Sequence, residues 1–116
     1  MNGAFDKIRV VDLSGRLSGA FAARQFADYG AEVLLIEPEG GHPLRHEPPF
    51  AETSAGKPSL VHAFVNWNKR SIQSPGDEAL FELVNSADVL VTTSAPPGDD
   101  RISRAVDALP AHGIHL

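Results

Sequence analysis

The chain has 116 residues, enough for one small domain with a single hydrophobic core. Acidic residues outnumber basic ones by 15 to 10, and the resulting formal charge of -5 argues against a broad nucleic-acid-binding surface. The chain contains no cysteine, which excludes disulfides and thiolate metal sites. The longest apolar run, around residues 33–36, is too short to span a bilayer, and the first residues lack a signal peptide's apolar run. We therefore expect a cytoplasmic protein that binds neither membranes nor nucleic acid.

The first third of the chain predicts a strand, a helix and a second strand. Residues 7–13, KIRVVDL, are rich in branched apolar side chains and run into the glycine-containing segment SGRLSG. Apolar residues then recur at helical spacing over residues 18–29, with Ser18 suited to the start of a helix and Gly30 to its end. Residues 31–37, AEVLLIE, form a continuous apolar run of the kind found in sheets covered on both faces. This order predicts a right-handed crossover and a parallel sheet.

A long segment rich in proline and glycine follows. Residues 38–59 contain five of the nine prolines and three glycines, which neither a helix nor a central strand tolerates. Loops of this length inside a domain are usually functional or mobile, so we expect this one to cover a site or a partner. Residues 60–65, LVHAFV, fit either a short helix or a strand.

The last third of the chain continues the alternation of helices and strands. Ser74 suits the cap, and Pro75 the first turn, of a helix that we predict over residues 74–87. The rest predicts a strand, a weaker helix and the opening of a final strand, at residues 88–94, 99–108 and 113–116. The fold class is therefore α/β, with a Rossmann-like parallel sheet and flanking helices. Because the chain stops a few residues into a strand, we expect the domain to be incomplete.

The strand, glycine loop, helix and strand ending in Glu37 are typical of dinucleotide-binding folds, in which such an acid binds a ribose. The loop reads GRLSG, however, and lacks the G-x-G-x-x-G fingerprint that lets a backbone approach a pyrophosphate. Gly15 and Gly19 are explained as well by a tight turn and close helix packing. The start of the first helix could still receive an anion.

A second polar segment, NWNKRSI at residues 66–72, places two basic residues side by side. A lysine and a guanidinium bind phosphate groups in different ways, and Trp67 could stack on a base. Composition alone favours a plainer interpretation, in which the basic pair is solvated and Trp67 is buried. The residues that could converge on a nucleotide are Asn66, Asn68, Lys69, Arg70 and Ser71.

The histidines do not predict a metal site. His42 and His46 are four residues apart, but Pro43 between them makes a helix there improbable, and His112 and His115 have no carboxylate cluster beside them. The sequence also has no G-x-S-x-G motif that would expose a nucleophilic serine. We therefore expect no metal and no hydrolase triad.

Three segments together resemble the N-terminal portion of the class III coenzyme A (CoA) transferases, also called the CaiB/BaiF type. This family includes formyl-CoA transferase, carnitine CoA-transferase and α-methylacyl-CoA racemase. The segments are residues 7–45, which end in GGHPLR, residues 66–72, and residues 74–91, SPGDEALFELVNSADVLV. They occur in the family's order and cover most of residues 7–92.

The resemblance implies that residues 1–116 are the N-terminal Rossmann-like domain of such a protein, with residues 38–59 as a long loop within it. CoA or acyl-CoA would bind as substrate across the carboxyl ends of the strands, and the family's dimers are interlocked. Arg16 and Leu17 occupy the first-loop positions that line this site. By the same resemblance, the motif residues near CoA, where basic groups would offset its phosphates, are Asn68, Lys69, Arg70 and Ser71.

The resemblance gives no catalytic residue. The family's transferases use an aspartate nucleophile that would lie beyond residue 116, and Asp12, Asp28 and Asp88 sit in structural blocks that make them poor nucleophiles. Pro38 stands where relatives often carry a basic residue, and TTSAPP at residues 92–97 replaces the family's E-N-F-R-P-G. The family's usual segment after residue 72 is also missing, so we expect a short or absent strand there.

Three functions remain open at this point. The chain could be the CoA-binding part of a CoA-transferase or acyl-CoA racemase-like protein, acting on acyl-CoA thioesters and not competent alone. It could instead be a non-catalytic structural or dimerisation module derived from that family. The third alternative is a nucleotide-binding Rossmann domain of another kind, against which the missing glycine fingerprint argues.

Overall fold

The structure is a computed structural model that describes residues 3–95 and 97–116. Within these residues, five strands form one parallel sheet. The strands are β1 (Arg9–Asp12), β2 (Glu32–Glu37), β3 (Arg70–Gln73), β4 (Val89–Val91) and β5 (Ile114–His115). In the same residues the helices are α1 (Leu17–Asp28), α2 (Leu60–Val65), α3 (Asp77–Asn85) and α4 (Arg101–Ala108), and a 3₁₀ turn spans Pro43–His46. None of the helices in this part of the chain has the length and apolar character needed to cross a membrane.

Successive residues of a strand point to opposite sides of the sheet, so its continuous apolar strands place apolar side chains on both faces. Helices cover both of these faces. On one face, α1 packs on a valine layer through Ala23 and Ala27. On the other face, α3 and α4 pack through Leu80, Val84 and Ala105. The strand residues on the two sides are Val10, Val33, Val89 and Val91 for α1, and Val11, Leu34, Ile36 and Leu90 for α3 and α4.

The strand order β3-β2-β1-β4-β5 places β1 beside β4 at the centre of the sheet. From β1 the chain passes through α1 on one face to β2, whereas α3 and α4 lie on the other face. The loops that leave β1 and β4 therefore diverge to opposite faces and leave a crevice at the carboxyl ends of these strands. In doubly wound sheets this switch point is where ligands bind.

The predicted α/β class with a Rossmann-like parallel sheet and flanking helices is confirmed. Two helix starts differ from the predicted ones, and the structure settles two elements that the sequence left open. Residues 60–65 are helical, with the Ser59 hydroxyl accepting a hydrogen bond from the His62 N–H. Arg16, not Ser18, caps the start of α1, and it makes no side-chain cap bond. Gly76, not Ser74, caps α3, because Ser74 lies in the left-handed region with φ 44°. The strand that was expected to be short or absent forms over four residues, as β3.

Candidate functional site

A cavity of about 400 Å³ lies at the carboxyl ends of β1, β2 and β4. Its floor is the loop after β1, and its far wall is formed by Thr93–Ala95 and by the start of α4. We call this cavity the switch-point crevice. Its lining residues include Ser14, Gly15, Arg16, Pro38, Thr93 and Arg101.

The loop after β1 is held rigidly at the floor of the crevice. The buried carboxylate of Asp12 accepts hydrogen bonds from both the backbone N–H and the hydroxyl of Ser14. The Gly15 N–H donates to Oγ1 of Thr93 at 2.9 Å, which ties this loop to the end of β4. Gly19 lets α1 pack against the loop, because a Cβ at this position would lie 2.3 Å from the Cβ of Ser14.

The first turn of α1 faces the crevice without a side-chain cap. Arg16 occupies the N-cap position in an extended conformation, and its side chain is exposed at the crevice. Uncapped N–H groups at a helix start carry partial positive charge. Arg16 forms no ion pair with any residue in the described part of the chain. This corner of an acidic chain is therefore suited to an anionic group.

Lys69 is buried in the structure, with a side chain that is 1% exposed. Its ammonium donates to Oδ2 of Asp12 at 2.8 Å, to the Ala20 carbonyl at 2.8 Å and to Oδ1 of Asn66 at 2.7 Å. Burial lowers the pKa of Lys69, and the charge and hydrogen bond of Asp12 act in the opposite direction. All three protons of the ammonium are used within the chain.

A second buried acid, Glu37, ends β2. Its carboxylate accepts two bonds from the Arg45 guanidinium, at 2.6 and 3.0 Å, together with one from the Ser71 hydroxyl and one from the His42 N–H. The bonds from Arg45 are the largest cause of a lowered pKa of Glu37, about 2, and they outweigh the opposing effect of burial. Glu37 thus remains ionised although it is fully buried.

Two histidines complete this polar layer beneath the crevice. His42 is fully buried; its Nδ1 accepts from the Leu44 N–H, so its Nε2 carries the proton and donates to the Ser14 carbonyl at 2.9 Å. Its ring lies 5.5 Å from that of His62. Burial lowers the pKa of both rings, to about 4 for His62, so both are neutral at pH 7. In the described residues no buried polar side-chain atom lacks a hydrogen-bond partner.

The structure separates the six residues that the resemblance places near CoA. Arg16 lines the crevice. Leu17 begins α1 but is 52% exposed and lies in an apolar groove against α2. Ser71 contacts Glu37 beneath the crevice. Asn68 donates to Asp28 at the far end of α1, and Arg70 pairs with Glu32 at the amino end of β2. Whether any of the six contacts CoA stays a prediction.

Lys69 and Arg70 do not form the adjacent basic pair that the sequence suggested. Lys69 points into the interior on the α1 side, whereas Arg70 is 77% exposed at the amino edge of the sheet. Neighbouring residues at the start of a strand point to opposite faces, which is why the two charges diverge. Trp67 is 63% exposed, so the alternative in which it is buried is wrong.

The sequence reasoning missed the residues that shape the crevice from below. Asp12 was noted only as a poor nucleophile, His42 only as a rejected metal ligand, and Arg45 only as part of the long loop. One signal was available: an acid that ends a buried apolar strand, as Asp12 and Glu37 do, needs a cationic or hydrogen-bonding partner. In the described residues no group of three or more histidine and acidic side chains is placed to hold a metal ion.

The parallel sheet and its switch-point crevice define a doubly wound α/β protein of the Rossmann-like class. A family model, CoA-transferase family III, matches residues 5–112, and the chain belongs to this family. It is 39% identical over 106 residues to the acetyl-CoA:oxalate CoA-transferase of Acetobacter aceti, covering 86% of this chain and 26% of that protein. It is 34% identical over 122 residues to the BbsE subunit of succinyl-CoA:(R)-benzylsuccinate CoA-transferase from Thauera aromatica, covering 100% of this chain and 30% of that protein.

The family resemblance extends to a solved structure. The crystal structure of a CAIB/BAIF family protein from Brucella suis superposes with a TM-score of 0.84 at 26% sequence identity. The match covers 99% of this chain and 33% of that one. The chain therefore spans between a quarter and a third of the length of these relatives.

Proposed function

We propose that the switch-point crevice binds the CoA moiety of an acyl-CoA thioester, as the N-terminal part of a CoA-transferase or acyl-CoA racemase-like protein. The observation that supports this most is the position of the crevice, where α/β sheets bind nucleotides, in a chain of CoA-transferase family III. A complete protein of this kind would move CoA between carboxylic acids or invert the carbon next to the thioester. By the resemblance, the family's aspartate nucleophile would lie beyond residue 116, so catalysis would require further polypeptide.

Electrostatics support an anionic ligand in this crevice. The chain carries a net charge of -5, yet Arg16 and the uncapped start of α1 meet at the crevice rim. Arg101 also lines the crevice, but its charge is engaged by Asp77 at 3.0 Å. Arg16 is therefore the residue that we propose to contact the phosphates of CoA.

The other predicted residues receive different roles in this proposal. Lys69 and Ser71 act beneath the crevice, through Asp12 and Glu37 respectively. Asn68 and Arg70 lie toward the opposite edge of the sheet and would not contact a ligand in the crevice. The Leu17 side chain lies in the groove against α2 and would not contact the ligand. Its contribution in this proposal would be its backbone N–H, at the start of α1.

Isothermal titration calorimetry with CoA tests this proposal. We expect a Kd tighter than about 1 mM for the chain, and weakening by about tenfold on Arg16→Ala, because one charge-assisted contact is lost. Arg70→Ala is the matched control, since it removes an equal charge at the other edge and should leave the Kd unchanged. Binding that is lost with Arg70→Ala but kept with Arg16→Ala would contradict the proposal.

An apolar groove favours a second candidate function, dimerisation. The groove between α1 and α2 has a volume of about 780 Å³, and exposed Leu17, Phe21, Leu60 and Phe64 line it. Exposed apolar patches of this kind mark interaction sites, and we propose a second copy of the chain as the partner. Sedimentation equilibrium should then show a dimer that Phe64→Ser dissociates. A chain that stays monomeric at high concentration would contradict this candidate.

A further inference from the structure

A continuous chain of hydrogen bonds runs beneath the switch-point crevice. It passes from Lys69 to Asp12, from Asp12 to Ser14, and from Ser14 through His42 to Glu37. We propose that Lys69 and Asp12 are positioning residues for the CoA site: the buried pair holds the loop at residues 14–16, and so sets ligand affinity without touching the ligand. This inference rests on the proposed function.

The geometry of Lys69 prevents it from acting as a phosphate ligand. Each of its three protons has an acceptor within 2.8 Å, and both Lys69 and Asp12 are buried. A phosphate could reach the ammonium only by displacing one of these acceptors from an interior in which the Lys69 side chain is 1% exposed. Displacing Asp12 would leave its carboxylate charged, buried and without its cation, which is strongly unfavourable.

The same ammonium fixes both elements that face a ligand. Through Asp12 it holds the Ser14 N–H and hydroxyl, which set the course of the loop. Through the Ala20 carbonyl it holds the first turn of α1, which begins beside Arg16 at the crevice. A buried ion pair contributes little net stability in itself. Its directed bonds, however, fix the spacing between the loop and the helix start, and this spacing determines which anion fits.

Two measurements on the full chain test this role with Lys69→Met, a substitution that keeps most of the unbranched side chain and removes its charge. In the absence of ligand, we expect amide hydrogen exchange at residues 14–17 to accelerate by about tenfold more than exchange in β2, because the loop loses its anchor. The Kd of Lys69→Met for CoA should be about tenfold higher than that of the parent both at about 0.05 M and at about 0.3 M salt. The Kd of the two proteins should therefore depend on salt concentration in the same way. By contrast, Arg16→Ala should weaken binding and also flatten the salt dependence, because a direct charge contact is removed.

A double variant separates positioning from direct contact. Lys69→Met with Asp12→Asn leaves no unpaired buried charge, and the asparagine oxygen can still accept from the Ser14 N–H. It also covers the case in which Lys69→Met alone fails to fold. We expect the double variant to regain part of the parent's affinity and loop protection, because the bond from the Ser14 N–H is kept while the bond to the Ala20 carbonyl stays lost. Loss of a direct phosphate contact could not be restored by a change at Asp12.

The outcomes distinguish this inference from the proposed function. Unchanged exchange at residues 14–17 in Lys69→Met would overturn the positioning role, whatever the parent chain binds. A flattened salt dependence in Lys69→Met, or a double variant as weak as the single one, would overturn it as well. Failure of the parent chain to bind CoA would instead overturn the proposed function, while the exchange data would still report whether Lys69 holds the loop.

Discussion

Replacing Arg45 by methionine should make the stability of the protein depend on pH in a defined way. Arg45 holds the pKa of the buried Glu37 at about 2, compared with its ordinary value of 4.5, mainly through its two hydrogen bonds. By linkage this difference corresponds to roughly 3 kcal/mol at neutral pH. The Arg45 side chain is 43% exposed, so solvent screening reduces the contribution of its ion pair to the free energy of unfolding. We therefore expect Arg45→Met to lower the free energy of unfolding by about 2 kcal/mol.

The sign of the pH dependence follows from the direction of the shift. Because the folded-state pKa of Glu37 is lowered, its contribution is complete above pH 4.5 and is lost as the pH falls toward about 2. Urea unfolding at several pH values should show that the difference in the free energy of unfolding between the parent and Arg45→Met becomes smaller as the pH falls through this range. Lys57→Met is the control, because its pair with Glu52 is exposed and should contribute less than about 0.5 kcal/mol. A difference between parent and Arg45→Met that stays constant from pH 7 to pH 3 would refute the reasoning.

Two further predictions concern the layer beneath the crevice. Burial, and after it the charge of Arg45, lowers the pKa of His62 from 6.5 to about 4, so the free energy of unfolding should fall as the pH drops from 6.5 to 4. Urea unfolding should show a smaller fall for His62→Gln than for the parent. Equal falls in the two proteins would exclude His62 as the cause. Gly19→Ala should lower stability by about 1–3 kcal/mol in thermal unfolding, because its Cβ would collide with Ser14, whereas Gly76→Ala, where no atom lies within 4 Å, should cost much less. Equal effects of the two alanine substitutions would contradict the close packing of α1 on the loop.

Local sequence patterns were sufficient to predict the sheet. The apolar run at residues 33–36 required a strand covered on both faces, and β2 is buried between α1 on one side and α3 and α4 on the other. Helix boundaries were less well predicted, because they depend on single backbone conformations. Ser74 has a side chain that suits a helix cap, but its positive φ excludes it from that role and shifts the cap to Gly76.

The site could be predicted only in outline, because its key contacts join residues that are distant in sequence. Lys69 and Asp12 are 57 residues apart, and nothing near either of them signals the pairing. The direction of Lys69 also depends on the preceding Asn68, which adopts a left-handed φ of 68° that its residue type permits but does not require. The sequence left two interpretations of the adjacent bases, a solvated pair or a pair that converges on a nucleotide. In the folded chain the two separate, because Lys69 is buried whereas Arg70 is exposed and pairs with Glu32.

The measurement that most directly tests the central claim is the mapping of backbone amide chemical-shift changes during titration with CoA. If the ligand occupies the switch-point crevice, the largest changes should fall on residues 14–18 and on Thr93 and Ser94, which line it. The surroundings of Asn68, Arg70 and Glu32 should change little, because they lie at the amino edge of the sheet. Large changes at that edge, or none at the crevice, would contradict the account.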